Sequence, residues 1–199
     1  MFNFKHFIKH AALALALACG TTAAYAGPTY NVAINTAGFA GSGLIDFSFL
    51  SADGTSPATA SLSNFGGAFG AEIERYGDVV GDTATGLVFT NTDGFNYLAL
   101  NAAFGNMLSF YITFSDGFAG PDQATFAISL YDGLGEFLSN PVQFTLLASD
   151  ADSPTTLDIQ AENIASITEV ALVPEPSQLL LLLTALAIMG AMARRKRLG

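Results

Sequence analysis

Apolar and polar residues alternate with a period of two along much of the chain between residues 27 and 173. The pattern is clearest in 108–114, where Ser109, Tyr111 and Thr113 stand between apolar residues. Alternation of this kind is typical of half-buried antiparallel strands, and no helical period is sustained in this region. The predicted strands are 30–34, 45–49, 59–65, 87–90, 95–100, 108–114, 126–130, 142–146, 156–160 and 167–172.

Asp-Gly pairs separate several of these segments and predict tight hairpin turns, because both residues accept positive backbone angles. They occur at 53–54, 93–94, 116–117 and 132–133, and the glycine-rich stretch 66–70 is predicted to be a loop. The spacing predicts an all-β fold, an antiparallel two-sheet sandwich of jelly-roll-like type. We expect its core to contain Ile45, Phe47, Phe49, Leu108, Phe110, Ile112, Phe114, Phe126, Ile128 and Leu130.

The first 26 residues predict a secretory signal helix. Lys5 and Lys9 precede an apolar run, and small residues at Ala24 and Ala26 mark cleavage before Gly27. A lipoprotein signal that ends at Cys19 is the alternative, although the large aliphatic residue usual three positions before such a cysteine is missing. Both interpretations predict export.

The other end of the chain predicts a membrane anchor. Residues 179–193 are apolar apart from Thr184, and Arg194, Arg195, Lys196 and Arg197 follow at once. A transmembrane helix over about 177–193 reaches the lower limit for crossing a bilayer. Because positive charge stays cytoplasmic, the basic tail 194–197 places the domain formed by residues 27–173 outside.

Pro174, Glu175 and Pro176, then the apolar helix and the basic cluster, resemble the PEP-CTERM sorting signal of Gram-negative bacteria. This resemblance covers 174–199. It implies recognition by an exosortase-type membrane protease, transient anchoring in the inner membrane, and delivery to the cell surface or exopolysaccharide matrix. The two prolines keep the triplet extended, as a protease requires of its substrate. A rigid linker before a permanent anchor is the alternative.

The exported domain also resembles a family of small PEP-CTERM proteins. The similarity lies in the segments 43–49, 63–65, 104–110 and 126–132, which read GLIDFSF, SNF, FGNMLSF and FAISLYD. These motifs are structural, and the resemblance implies neither a catalytic residue nor a biochemical activity.

Charge and composition exclude several classes of function. The whole chain carries 17 acids and 7 bases, but residues 27–173 contain 16 of those acids and one base, Arg75, for a formal charge of −15. This region has no Lys, His, Cys or Trp. Catalytic units that need His or Cys, Schiff-base chemistry and zinc sites with nitrogen or sulfur ligands are therefore excluded. Nucleic acid is excluded as a partner because a polyanion would be repelled.

Paired carboxylates remain compatible with this composition. Glu72 and Glu74 flank Ile73, so in a regular strand they project from one face and Arg75 from the other. A glycosidase needs two such acids on either side of a sugar. Because no catalytic motif accompanies the pair, we interpret it as a solvated polar face and expect no enzymatic activity.

Calcium is a candidate ligand, since carboxylates on extracellular loops suit this ion. Asp78 and Asp82 lie close together in the sequence, as do Asp150 and Asp152. Neither pair matches the D-x-[DN]-x-[DN]-G calcium-binding loop, and the alternative is that these acids form turns and keep the domain soluble. No other cofactor is expected.

Carbohydrate is the second candidate ligand, because aromatic rings on the face of a sandwich stack on sugars. Tyr97, Tyr111 and Tyr131 occupy predicted outward positions, although cross-strand packing also explains them. The sequence thus predicts a non-enzymatic exported protein of the surface or matrix. The alternative is a calcium- or carbohydrate-binding module of the exopolysaccharide matrix.

Overall fold

A computed structural model describes residues 27–52, 57–115, 118, 123–147 and 156–170. In these residues the chain forms twelve strands. They are β1 (Thr29–Asn35), β2 (Ser42–Ser51), β3 (Thr59–Gly66), β4 (Phe69–Tyr76), β5 (Val79–Asp82), β6 (Gly86–Thr90), β7 (Phe95–Ala103), β8 (Met107–Phe114), β9 (Ala124–Asp132), β10 (Phe137–Leu147), β11 (Thr156–Ala161) and β12 (Ala165–Val170).

The strands form two six-stranded antiparallel sheets. Sheet A has the order β12-β1-β8-β3-β6-β5, and sheet B has the order β11-β10-β9-β2-β7-β4. From β1 to β4 the chain changes sheet at every step, so strands that are neighbours in sequence belong to different sheets. The predicted all-β, two-sheet antiparallel sandwich is confirmed, and every predicted strand has an observed counterpart.

The core lies between the sheets and is built largely from phenylalanine. All ten predicted core residues are at most 1% exposed. Rings from opposite sheets meet directly, as in Phe47 with Phe110, whose centroids are 5.4 Å apart, and Phe89 with Phe126, also 5.4 Å apart. Each buried ring contributes about 1.5 to 3 kcal/mol of transfer free energy. The burial of all ten residues confirms the predicted core. The prediction succeeds because alternation along a regular strand decides which side chains face inward.

Two strands, β4 and β5, were not among the predicted segments. β4 contains register shifts between Phe69 and Glu72 and between Glu72 and Glu74, so its side chains do not keep a period of two. The predicted loop 66–70 is also wrong in part, since Gly66 ends β3 and Gly70 belongs to β4. Short or bulged edge strands lack the alternation on which the prediction rests.

Two of the four Asp-Gly turns can be compared with the structure. Asp132-Gly133 lies in the β9–β10 hairpin, where the Asp132 carboxylate accepts hydrogen bonds from the backbone N–H groups of Leu134 (2.8 Å) and Glu136 (2.9 Å). Asp93-Gly94 instead joins β6 of sheet A to β7 of sheet B, so the predicted hairpin there is wrong. The pairs 53–54 and 116–117 lie outside the described residues.

The predicted terminal segments also lie outside the described residues, namely the signal helix 1–26 and the sorting signal 174–199. Within the part of the chain that the structure describes, no helix has the length and apolar character needed to cross a membrane.

Candidate aromatic and carboxylate face

The outward side chains of sheet B form a surface that we call the B face. Its residues point away from the core, and the strand register places them next to one another across the sheet. Across the six strands they are Glu74, Tyr76, Phe95, Tyr97, Ala99, Asn101, Leu44, Asp46, Ser48, Leu50, Thr125, Ala127, Ser129, Tyr131, Gln143, Thr145, Asp158 and Gln160.

An aromatic cluster occupies the β4–β7 edge of the B face. The ring centroids of Tyr76, Phe95 and Tyr97 are 5.3 to 6.3 Å apart, and the Tyr76 and Tyr97 rings are stacked with an interplanar angle of 21°. Tyr76 is 59% exposed and Phe95 is 46% exposed. Exposed rings gathered in one place mark interaction surfaces more often than isolated ones do.

The turn after β4 holds this cluster in place. Gly77 has a φ of 74°, and a Cβ there would lie 2.3 Å from the Asn96 side-chain oxygen. That oxygen accepts a hydrogen bond from the Asp78 backbone N–H at 2.6 Å, while the Asn96 amide donates to the carbonyl oxygen of Asp93 at 2.6 Å. Asn96 lies between Phe95 and Tyr97 in the sequence, and its side chain is fully buried. Its hydrogen bonds therefore anchor the strand that carries both rings.

Two carboxylates converge beside the aromatic cluster. Asp46 of β2 and Glu74 of β4 are both register partners of Ala99, one on each side of β7. Their Cα atoms are about 10 Å apart across two strand spacings, and the small Ala99 side chain lets the carboxylates approach each other. The Glu74 carboxylate lies close enough to the Tyr97 hydroxyl to raise the pKa of that hydroxyl. Asp46, Glu74 and Tyr97 thus form one polar cluster.

Burial and mutual repulsion perturb the acidity of this cluster. Desolvation, and secondarily the negative charge of Glu74, raise the pKa of Asp46 from 3.8 to about 6. Interaction of the hydroxyl with the Glu74 carboxylate, then desolvation and the negative charges of Glu74 and Asp46, raise the pKa of Tyr97 to about 12. Asp46 Oδ1 is buried and has no hydrogen-bond partner among the described residues. A buried acceptor without a donor is costly, so the placement of this oxygen reduces the stability of the fold.

The structure corrects the expected placement of Glu72, Glu74 and Arg75. The bulge after Glu72 makes it a register partner of inward-facing Leu100, whereas Glu74 pairs with outward-facing Ala99. Glu72 therefore lies with Arg75, and their side chains form an ion pair with Nη2–Oε2 at 2.5 Å and Nε–Oε1 at 3.1 Å. The predicted Glu72 and Glu74 pair does not share a face.

Arg75 also ties the edges of the two sheets together. Its guanidinium donates hydrogen bonds to the carbonyl oxygens of Val79 (3.0 Å) and Gly81 (2.9 Å) in β5. The hydrogen bond that Arg75 donates to Glu72 is the main cause that raises the pKa of Arg75, and the same bond lowers the pKa of Glu72. The guanidinium is thus bound to Glu72 and to β5 and not to Asp46 or Glu74, so Arg75 does not neutralise that pair.

The three candidate tyrosines divide between the two outer faces. Tyr97 and Tyr131 lie on the B face, whereas Tyr111 lies on the outer face of sheet A. Tyr131 packs edge to face against exposed Phe137, with centroids 5.8 Å apart. In the strand register Tyr131 lies two strands and four residues away from Tyr97, which places their Cα atoms roughly 17 Å apart.

An amide-lined cleft borders the opposite edge of the B face. It has a volume of about 350 Å³ and is lined by Asn140, Gln143, Gln160, Ala161 and Glu162. Gln143 and Gln160 are register partners, and their row continues across the sheet to Ser48 and Tyr97. Side-chain amides both donate and accept hydrogen bonds, as sugar hydroxyls require.

The described calcium candidates already have partners within the protein. Asp78 accepts hydrogen bonds from the hydroxyls of Thr90 (2.6 Å) and Thr92 (2.7 Å). Asp82 accepts from the backbone N–H groups of Ala84 (2.9 Å) and Thr85 (2.7 Å), and from the Thr85 hydroxyl. These bonds lower the pKa of both carboxyls. The contacts fit turn formation.

No group of three or more metal-ligating side chains occurs among the described residues, and Asp150 and Asp152 lie outside them. Calcium binding stays a prediction, and thermal melting with millimolar calcium and then with EDTA tests it. Identical midpoints would argue against a site.

Most of the predicted sorting residues lie outside the described residues: Ala24, Ala26, Pro174, Glu175, Pro176, Arg194, Arg195, Lys196 and Arg197. Gly27 is described and is buried. A Cβ at Gly27 would lie 1.8 Å from the carbonyl oxygen of Phe114, so glycine is required there for packing.

No family model, no curated protein and no solved structure matches this chain.

Proposed function

We propose that this chain is a non-enzymatic exported protein of the cell surface or extracellular matrix. The observation that carries the proposal is the separation of charge along the sequence: six of seven bases flank the two apolar terminal segments, and residues 27–173 carry −15. A basic start and a basic end are what a signal peptide and a membrane anchor need. The β-sandwich between them is the exported part.

Sorting through an exosortase-type protease in the inner membrane is part of this proposal. The Pro-Glu-Pro triplet 174–176, the apolar segment and the basic cluster, in this order, support it. Replacement of Pro174 and Pro176 by alanine, with the apolar segment kept, is expected to retain the protein in the membrane fraction. Deletion of 174–199 is expected to release it unsorted into the periplasm or medium.

Fractionation into membrane, medium and matrix distinguishes these outcomes. The matched control is a Thr184→Ala variant, which leaves the triplet and the basic cluster unchanged and is expected to distribute as the wild type does. If the double proline variant is distributed as the wild type is, the triplet is only a linker and the sorting proposal is wrong.

The absence of catalysis is supported by composition. Residues 27–173 contain no His, Cys or Lys. Asp46 and Glu74 converge on each other over Ala99 on one sheet face, whereas a glycosidase holds its two carboxyls on either side of the scissile bond.

Carbohydrate binding by the B face is the second candidate function. The observation in its favour is the exposed cluster of Tyr76, Phe95 and Tyr97, which continues through Asp46 towards Tyr131. Rings provide stacking surfaces, and carboxylates and amides hydrogen bond to sugar hydroxyls. A pull-down with exopolysaccharide from the producing organism tests it, with Tyr76→Ala expected to weaken binding and Tyr111→Ala expected not to. Binding that is equal for both variants and wild type would refute the B face as the site.

The sandwich is also proposed to be of jelly-roll type. The order β1-β8-β3-β6 in one sheet and β2-β7-β4 in the other supports this topology, in which paired strands wind together between two sheets. β5 departs from the regular pattern, since it pairs with β6 rather than extending sheet B beyond β4.

A further inference from the structure

We infer that the B face binds a polysaccharide carrying free primary amines, with Asp46 and Glu74 holding an ammonium group while Tyr76, Phe95 and Tyr97 stack on the adjoining sugars. This inference rests on the proposed carbohydrate-binding function and specifies the chemical class of the glycan.

The charge of the B face favours a cationic ligand. Asp46 and Glu74 converge over Ala99, and Arg75, the one base between residues 27 and 173, is bound to Glu72 and to carbonyl oxygens of β5. The carboxylate pair therefore lacks a compensating cation from this region. An anionic polysaccharide would be repelled by the pair and by the overall charge of −15.

The hydrogen-bonding capacity of Asp46 and Glu74 favours an ammonium group over a hydroxyl. Asp46 is partly exposed and Glu74 is exposed, so a ligand can reach both side chains, and Asp46 Oδ1, which is itself buried, receives no hydrogen bond among the described residues. An ammonium group brings a positive charge and three donors, enough to bind both carboxylates. A hydroxyl brings a single donor and no charge, so it leaves the repulsion between the two carboxylates in place.

The aromatic cluster favours a cation that is attached to a sugar. The rings of Tyr76 and Tyr97 lie in the register rows next to Glu74 and Ala99, so a cation held there is close to their ring faces. Cation–π attraction adds to the Coulomb attraction at such a position. The same rings give a neighbouring sugar a flat apolar surface.

The extent of the face favours a polymer of sugars over a basic peptide. Aromatic pairs lie at both ends of a diagonal of roughly 17 Å that passes through Asp46, from Tyr97 to Tyr131. The side-chain amides of Gln143 and Gln160 lie beyond β9, in the register row of Ala127. A lysine side chain supplies the ammonium group but leaves the ring faces and amides without partners.

Calorimetry with the full-length chain in mild detergent tests the inference with three matched hexasaccharides. These are the β-1,4 hexamer of glucosamine, the same hexamer fully N-acetylated, and the neutral glucose hexamer. We expect the glucosamine hexamer to bind at least tenfold more tightly than either of the others, because only it carries ammonium groups.

Two variants with the same change in net charge locate the interaction. Asp46→Asn is expected to weaken binding of the glucosamine hexamer about tenfold and to leave binding of the acetylated hexamer within twofold. Glu136→Gln removes one charge from the exposed β9–β10 turn and is expected to change both affinities less than twofold. Equal losses in the two variants would mean that only net charge matters, and would overturn the inference.

Aromatic variants complete the test. Tyr76→Ala is expected to lower affinity for the glucosamine hexamer about three- to fivefold, and Tyr111→Ala on the opposite face less than twofold. Lysine hexapeptide is the competing partner class; if it binds as tightly as the glucosamine hexamer, the inference is overturned in favour of a basic peptide. Thermal melts confirm that each variant is folded.

The outcomes separate the inference from the function on which it rests. Equal binding of all three hexasaccharides, sensitive to Tyr76→Ala, would refute amine recognition and leave carbohydrate binding in place. No binding of any glycan, including native exopolysaccharide, would refute both.

Discussion

Over β12, β1, β8 and β3, the outer face of sheet A carries mainly uncharged polar side chains, whereas the B face carries aromatic rings and a carboxylate pair. The outward residues of β12, β1, β8 and β3 on sheet A include Ser166, Thr168, Thr29, Asn31, Ala33, Ser109, Tyr111, Thr113, Ser61 and Ser63. Some satisfy one another, as in the 2.8 Å hydrogen bond between the hydroxyls of Thr29 and Thr113. No acid or base occurs among these residues.

The comparison of the two faces distinguishes surface features that folding requires from features that it does not require. Either face would cover the same phenylalanine core, so the fold alone does not explain exposed rings or a buried acceptor without a donor. Features that reduce stability and yet lie together on one surface are typical of binding sites. The B face is therefore the surface to test, and the outer face of sheet A is its internal control.

The largest effect is expected from Asn96→Ala, which removes the support beneath the aromatic cluster. Asn96 is buried and its side chain hydrogen bonds to backbone groups of Asp78, Asp93 and Phe49. Loss of these bonds leaves buried backbone groups unpaired and should lower the free energy of unfolding by about 2 to 3 kcal/mol. Denaturant unfolding measures it. The outward Asn101→Ala on the same strand is the control, expected within about 0.5 kcal/mol; equal losses would contradict the anchoring role.

The next effect has the opposite sign. Asp46→Asn should raise the free energy of unfolding at pH 7.5 by about 1 to 2 kcal/mol, a value already discounted for partial exposure of this carboxyl. The folded-state pKa of Asp46 is raised from 3.8 to about 6, mainly by burial. The favourable contribution of this group is therefore complete below about pH 3.8 and is lost as pH rises through about 6.

Unfolding at several pH values checks this prediction. The difference between Asp46→Asn and wild type should be near zero at pH 3.5, grow between pH 4 and 6, and stay constant above. A difference that does not depend on pH would mean that the carboxylate carries no desolvation penalty in the folded protein.

A third prediction concerns the edge where β4 of sheet B meets β5 of sheet A. Arg75→Met should cost about 1 to 2 kcal/mol, because it removes two hydrogen bonds to β5 as well as the ion pair with Glu72. Glu72→Gln removes only the exposed ion pair and should cost less than about 1 kcal/mol. Equal costs for the two variants would show that the bonds to β5 contribute little. Denaturant unfolding in low and high salt separates the two contributions.

The smallest effect is expected on the outer face of sheet A. Thr113→Val keeps the size and β-propensity of the residue and removes one hydroxyl pair, so the free energy of unfolding should change by about 0.5 kcal/mol or less. A thermal melt measures it. A change above about 1.5 kcal/mol would show that this face also carries strained or strongly coupled groups, and the contrast between the faces would fail.

The sequence by itself determined the sheet class and the core. A period of two assigns each residue of a regular strand to one side, and burial of apolar surface makes the apolar side face inward. For this reason segments such as 45–49 and 108–114 were predicted with the correct orientation, and all ten core residues were correct. A hairpin at Asp132-Gly133 was also predicted correctly, although the positive backbone angle of that turn lies at Gly135 and not at either residue of the pair.

Only the tertiary structure decided which residues form the B face. The bulges in β4 turn Glu72 towards Arg75 and Glu74 towards Asp46, against the alternation that the sequence suggests. Strand order then brings Asp46 and Glu74, 28 positions apart in the sequence, to either side of Ala99, and it places Tyr111 on the opposite surface from Tyr97. Bulges and pairings between distant strands depend on contacts that no local pattern encodes. The chain therefore specifies its core locally and its candidate site only through the assembled sheets.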